Sequence, residues 1–279
     1  MNARLEGSSA AASLAAGLLL SPLPAAAQEG DALAKAAQNP VAAMISLPFQ
    51  NNTFFGVGPH GDVANVLNIQ PVVPLTFGEW NIISRTIVPV IYVQDLAPGL
   101  SDIANDPQGS DGSFGLGDIN QTFYFSPVAS GPVIWGIGPS LSVPTATDDS
   151  LGSEKWSAGP AAVALTMPGN WVVGTLARQL WSFTGDNDRQ DVNQTLIQPF
   201  VNYNFPGGWY AVSSPIVTAN WEADSDDTWT VPVGGGMGRI FHIGSQAMNA
   251  SAQAFYNVES PQYGPDWSLR LQLQFLFPK

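Results

Sequence analysis

The 279-residue chain contains no cysteine, which excludes disulfide scaffolds, Cys-ligated metal sites and thiol nucleophiles together. Charge is scarce too. Asp, Glu, Lys and Arg make up 11% of the residues, against roughly 25% in an ordinary soluble domain, too few to clothe a helical bundle or a nucleotide-binding α/β enzyme. Positive charge is scarcest: nine Lys and Arg face 22 Asp and Glu, and a net charge of -13 argues against nucleic acid as a partner. No apolar run of membrane-helix length follows the N-terminal region, so a membrane-embedded form would have to cross as strands. Gly-x-Ser-x-Gly elbows, His-Glu-x-x-His and phosphate loops are all missing. What is present is an apolar fraction of 45%, 10% aromatics, 28 Gly and 23 Pro. That mixture excludes disorder and points to many short strands joined by Gly/Pro turns.

Residues 1–27 read as a Sec leader: Arg4, an apolar stretch over 10–20, a Ser21-Pro22 break and Ala25-Ala26-Ala27 ahead of a cut before Gln28. Glu6 is atypical there. The stretch is about 11 residues, too short to span about 30 Å of hydrocarbon as a helix. Residues 28–44 form the second unit, a periplasmic or lumenal segment with a short helix over 30–39, Asp31 as N-cap and Asn39-Pro40 as the stop. The third unit, 45–279, changes period. It reads as twelve strands, near 45–56, 63–77, 80–94, 113–127, 133–146, 156–167, 171–184, 192–205, 209–222, 229–242, 247–258 and 267–277.

The last strand is the clearest. Trp267, Leu269, Leu271, Leu273, Phe275 and Phe277 alternate with Ser268, Arg270, Gln272 and Gln274, and Leu276 alone breaks the pattern. At about 3.4 Å per residue and a tilt near 40°, its apolar face stands roughly 25 Å tall, the height of an outer-membrane band. Eight of nine tryptophans fall at strand ends, which predicts two aromatic girdles. Short connections follow the even strands and longer, acidic ones most of the odd strands, the pattern of periplasmic turns and external loops. Seventeen of the 21 acidic residues after the leader lie in or beside those presumed outer loops. The fold class is therefore all-β, a transmembrane antiparallel barrel of about twelve strands. Pro71, Pro89, Pro139, Pro160, Pro199, Pro215 and Pro232 interrupt it and predict bulges or rim positions, because each removes a ladder donor. The glycines at 115, 117, 234, 235, 236 and 238 predict strand bends or bulges, since no helix follows them.

Several segments together carry a resemblance: Ala34-Lys35-Ala36-Ala37-Gln38-Asn39-Pro40-Val41-Ala42, Leu47-Pro48-Phe49, Asn68-Ile69-Gln70-Pro71, Trp80-Asn81, Arg85-Thr86-Ile87-Val88-Pro89, Gly115-Leu116-Gly117-Asp118-Ile119 and the terminal Phe275-Leu276-Phe277-Pro278-Lys279. Over essentially the whole mature chain these resemble the meta-pathway phenol-degradation outer-membrane family, whose members are often labelled only transporters. The resemblance implies a barrel of the Gram-negative outer membrane that passes small molecules, with aromatic or other apolar degradation substrates as the class to test. Its expected partners are outer-membrane lipid, a small-molecule solute and the barrel assembly machinery acting through the last strand.

Candidate chemistry is confined to the interior. A guanidinium facing lipid costs roughly 2 to 4 kcal/mol near the midplane, so the strand-embedded Arg85, Arg178, Arg239 and Arg270 should point inward, with Asp118 as the strand-interior acid able to pair with them. Asn120, Gln198 and Gln272 complete the expected lumen lining. Arg239 shares an alternation face with Val233, Met237 and Phe241, so an inward position requires a glycine bulge; otherwise it snorkels. His60 and His242 sit at opposite barrel ends and cannot share a site. The acidic runs 186–191 and 224–227 lack the turn glycine and distal glutamate of a Ca²⁺ loop, and read as solvated loops. No catalytic residue, metal or cofactor follows from these patterns. The expected function is an outer-membrane channel. The alternatives are a structural barrel with a packed lumen and, behind it, a barrel-embedded lipid hydrolase.

Overall fold

The computed structural model describes residues 24–94 and 112–278; most of the expected leader and the acidic stretch 95–111 lie outside them. The elements run α1 (Pro24–Ala37), β1 (Ile45–Val57), β2 (Asp62–Ile69), β3 (Val72–Phe77), β4 (Trp80–Val93), β5 (Ser113–Leu116), β6 (Ile119–Pro127), β7 (Ile134–Val143) and β8 (Lys155–Thr166). There follow β9 (Trp171–Gly185), β10 (Asn193–Asn204), β11 (Trp209–Ser213), β12 (Val217–Asn220), β13 (Trp229–Ile243), β14 (Gln246–Glu259) and β15 (Trp267–Phe277). Three pairs of segments, β2 with β3, β5 with β6 and β11 with β12, are single staves broken in the middle, so the fifteen segments make twelve staves. All pair antiparallel with their sequence neighbours, and β15 returns to β1 from Ile45↔Phe277 to Phe55↔Trp267. The barrel is closed.

The expected prolines explain the breaks, though breaks and ladder gaps replace most of the expected bulges. Pro71 separates β2 from β3, and Pro215 separates β11 from β12. Pro89 lies where β4 changes partner from β6 to β5, and Pro199 lies where β10 changes from β12 to β11. A residue without an N–H thus faces a place where no ladder acceptor waits. Pro139 pairs with Pro160 across β7 and β8 in an unbroken register. The ladders on either side each skip two pairs at that level, between β6 and β7 and between β8 and β9. Only Pro232 sits at a register shift, after Val231.

Alternation sorts the side chains. Eight tryptophans stand half-exposed on the outer wall. Trp80, Trp135, Trp171 and Trp209 lie at the short-turn end, and Trp156, Trp181, Trp221, Trp229 and Trp267 at the long-loop end. The rings contact one another or neighbouring aromatics, as in Trp80–Trp135, Trp171–Tyr203, Trp221–Trp229 and the stacked Phe55–Trp267. The interior is only half polar. Ile83, Tyr124, Ala161, Val163, Leu165, Val172, Leu176 and Phe200 form a buried apolar cluster on the β4 to β10 side, which is why the strand over 156–167 shows no polar alternation.

Helix α1 begins at Pro24, so Asp31 lies inside it and is not the N-cap. Pro24 suits the first helical position and alanine propagates the helix through 25–27. The segment lies within the barrel at the short-turn end. Ala34 packs on Tyr210 and Ile240; Val41 joins the apolar cluster; and Met44 meets Ala247 and Leu276. The one exception in the β15 alternation, Leu276, is an inward residue covered by Met44, Leu33, Ala36 and Ala37. The glycines of β13 make no bulge, because its register with β14 is regular from Pro232 to Ile243. Instead, a Cβ at Gly238 would lie 2.1 Å from Tyr210 Cζ, so glycine makes room for the ring that carries α1.

Candidate functional site

Two chambers occupy the lumen. The one at the short-turn end spans about 1030 Å³, including its open side, and is floored by residues of the N-terminal segment, among them Gln38, Pro40 and Met44. Part of its wall is a set of amides and a hydroxyl, Asn202, Asn249, Ser251, Gln253, Gln272 and Gln274. The chamber at the long-loop end encloses about 1370 Å³, including its open approach. Gln50, Gln70, Arg85, Leu176 and Gln198 line both chambers and form the ring between them. Gln70 Oε1 accepts from Arg85 Nη2 at 2.7 Å, which fixes the one charge of the ring.

Above the ring, Arg178 Nη1 donates to Asn120 Oδ1 at 2.6 Å. Arg270 is held from several sides: its Nε donates to Asn52 Oδ1 at 2.9 Å, its Nη1 to the Ser214 carbonyl at 2.7 Å, and its guanidinium lies 4.9 Å from the Phe255 ring centre. Among the described residues, three arginines and a single carboxylate, Asp118, are the formal charges lining this chamber.

Asp118 does not pair with the arginines, contrary to the expectation from the sequence. Its Oδ1 accepts from the backbone N–H groups of Thr145 and Ala146 at 3.1 and 3.2 Å, and its Oδ2 from Ser153 N and Oγ at 2.7 and 2.8 Å. Gly152 passes so close that a Cβ there would stand 2.7 Å from Asp118 Oδ1. The carboxylate thereby folds the connection between β7 and β8 into the outer mouth. Leu151, fully buried, plugs into Val57, Ala64, Val66, Ile91 and Val93. Arg189 Nη2 donates to the carbonyls of Asp149 and Gly152, both at 2.7 Å, and Lys155 Nζ lies 3.1 Å from Asp191 Oδ1. The hydrogen bond from Lys155 holds the Asp191 carboxyl below its ordinary range.

Of the eight residues singled out in the sequence, Arg85, Asp118, Asn120, Arg178, Gln198 and Arg270 line the outer chamber, and Gln272 the inner one. Arg239 is a correction. With no bulge to turn it inward, it stays on the outer wall at the short-turn rim, its guanidinium 5.1 Å from the Trp209 ring centre. There the long stem lies along the apolar band while the charge reaches the headgroup level. Gln50, Gln70, Leu176 and Tyr124 do not stand out in the sequence. Gln50 and Gln70 each adjoin a proline or a run of mixed residues that blurs the alternation.

No family profile matches this sequence and no curated protein does either. Among solved structures, an outer-membrane channel from Pseudomonas putida F1 superposes with a TM-score of 0.62 at 15% identity, covering 86% of this chain and 97% of its own. The CymD monoaromatic hydrocarbon channel gives a TM-score of 0.45 at 8% identity over 90% of this chain and 92% of that one. The Pseudomonas putida toluene transporter TodX gives 0.40 at 9% identity over 87% and 92%. The first likeness shows a common fold.

Proposed function

We propose that the protein is an outer-membrane channel for small molecules with a substantial apolar part, made with a Sec leader and assembled through its last strand. The short turns then face the periplasm and the acidic loops the outside. The observation that carries this reading is the pair of chambers inside the barrel, which share the mixed lining of Gln50, Gln70, Arg85, Leu176 and Gln198, with apolar residues on one side and amides on the other. The barrel fold shared with an outer-membrane channel supports it. Monoaromatic hydrocarbon and toluene are the cargoes of the more distant neighbours, and aromatic cargo for this chain is part of the proposal.

Single-channel recording of the purified protein in planar bilayers tests it. Steady openings are expected, with a mild anion preference at ordinary salt, because interior charges are screened less than the exposed rim acids. Arg178→Glu should move the reversal potential toward cations, and neutralising Asp226 and Asp227 should change it little. The packing of Val41 and Ala34 favours a second reading, a structural barrel with a stopped lumen. Silence both in the full chain and in a chain lacking 28–44 would establish that reading instead. Lipid hydrolysis in the same bilayer would mark an enzyme.

A further inference from the structure

The inner chamber is lined by amides that the fold itself does not use. Gln50 of β1 and Gln272 of β15 are direct Cα partners, and Gln272 is paired in turn with Ser251 of β14, so three neighbouring staves carry one inward polar row. Gln198 and Asn202 reach the same chamber from β10. Among the described residues, the side chains of Gln50, Gln272, Gln198 and Asn202 have no hydrogen-bond partner, although Gln50 is only 8% and Asn202 5% exposed.

Elsewhere in the barrel, amides within reach of each other pair. In the next row Asn249 Nδ2 donates to Gln274 Oε1 at 3.1 Å, and Asn249 Oδ1 accepts from the Tyr210 hydroxyl at 2.7 Å. On the outer wall Asn51 Nδ2 donates to Asn65 Oδ1 at 2.8 Å across a diagonal of the sheet. Gln50 and Gln272 are directly opposed, closer than a diagonal, and still present their amides to the chamber. Polar groups buried to this degree are normally satisfied, and water or a solute must meet these. An amide offers N–H donors and a carbonyl acceptor side by side. A hydroxyl also both donates and accepts, so it answers the two halves at once, whereas a carboxylate only accepts and an ammonium only donates. Leu176, Phe200 and Val212 line the same chamber and give a ring an apolar surface to lie against.

We infer that the inner chamber is a binding site for small neutral molecules that combine an apolar ring with two or more hydroxyl groups, alicyclic diols being the simplest case. Gln50 and Gln272 receive the hydroxyls, and Leu176 and Phe200 receive the ring. The inference rests on the channel reading above and names the solute class of the same lumen. Gln50, which lines both chambers, meets a solute leaving the outer one, and Gln272, which lines only the inner one, holds it there.

Equilibrium dialysis of the purified protein with labelled cis-cyclohexane-1,2-diol, against protein-free micelles as blank, gives the test. The dimethyl ether of the diol is the competitor that keeps the ring and the acceptors but has no donor, and glycerol has hydroxyls without a ring. The diol should bind roughly tenfold or more tightly than either, the scale of two hydrogen bonds. Gln272→Leu and Gln50→Leu, each checked for a folded barrel by faster migration unboiled than boiled, should each weaken the diol about threefold or more and leave the ether unchanged. Asn68→Leu should leave both unchanged, because Asn68 is the Cα partner of Gln50 on β2 but lines only the outer chamber. Wild-type diol affinity in both glutamine variants, or a loss in Asn68→Leu alone, would overturn the inference by placing the site elsewhere. Equal competition by the ether would overturn it by making the hydroxyl donors irrelevant, and equal competition by glycerol would overturn the apolar half. No diol binding at all would overturn it outright; steady openings from the same preparation would then keep the channel reading, and silence would remove both.

Discussion

At the scale of single residues, alternation sorts side chains between lipid and lumen but does not say what an inward side chain does once there. Asp118 reads in the sequence as a counter-charge because it is the one acid inside a strand. Its actual partners lie 27 to 35 residues away and are mostly backbone N–H groups, which leave no mark in a sequence. Leu276 shows the opposite case. Its break in the pattern is visible in the sequence, yet the reason for it, the apolar floor around Met44, exists only in three dimensions. Asp118 carries a prediction of its own. Replacement by alanine removes the acceptor for three backbone donors and one hydroxyl, at a cost of about 1–3 kcal/mol for each buried donor left unpaired. The 144–153 connection should then leave the mouth. Faster proteolytic cleavage within it, with wider single-channel openings and an unchanged heat-modifiable barrel, is the expected result. Cleavage at the wild-type rate would mean that Leu151 in its apolar pocket holds the connection without help.

Elements are legible in proportion to their periodicity. All twelve staves fall close to the expected spans, because strand length, turn residues and girdle tryptophans are local signals. The broken staves are legible only as prolines out of place, since whether a missing donor yields a bulge, a break or a ladder gap depends on the neighbouring strand. The N-terminal helix starts earlier than its sequence pattern predicts, because an alanine-rich 25–27 suits both the end of a leader and the first turn of a helix. Outward polar groups also escape the pattern. Asn51 with Asn65, and Thr86 with Gln121, satisfy each other on the outer wall, which lowers the cost of placing them in hydrocarbon. The N-terminal element gives a second prediction. Gln38 and Asn204 exchange amide hydrogen bonds at 2.8 and 3.2 Å, and Val41 is 3% exposed within the barrel's apolar cluster. Val41→Asp places an unpaired carboxylate in that cluster and should dislodge the segment. Conductance should rise several-fold toward that of a chain lacking 28–44. Equal conductance in the wild type, the variant and the truncated chain would show that the ring at Arg85, and not the floor, limits flow.

On the scale of the whole molecule, the barrel is defined by its closure, because a closed sheet has no edge whose N–H and C=O groups would be stranded in hydrocarbon. Closure depends on one seam between the first and last strands, which are 218 residues apart in the chain at the Asn52–Arg270 contact. The seam can be tested cleanly because the chain has no cysteine of its own. Leu47 and Phe275 are direct Cα partners on the outer face near the short-turn rim. Directly opposed residues in an antiparallel pair stand about 4.5 to 5.5 Å apart at Cα, inside the range a disulfide bridges. A Leu47→Cys/Phe275→Cys double variant should therefore oxidise in the folded state and tie the chain into a ring of nearly its full length. Boiled without reductant, that ring should migrate faster than the linear chain, and reductant should abolish the difference. Leu47→Cys/Leu273→Cys moves one partner two residues along the strand, to the diagonal position about 7 to 8 Å away, and should stay linear under the same oxidation. Equal crosslinking of both pairs would mean that the seam slides and has no fixed register. Crosslinking of the offset pair alone would place β15 two residues out of step against β1, turning the polar wall of the lumen along its axis relative to Arg85 and Arg178.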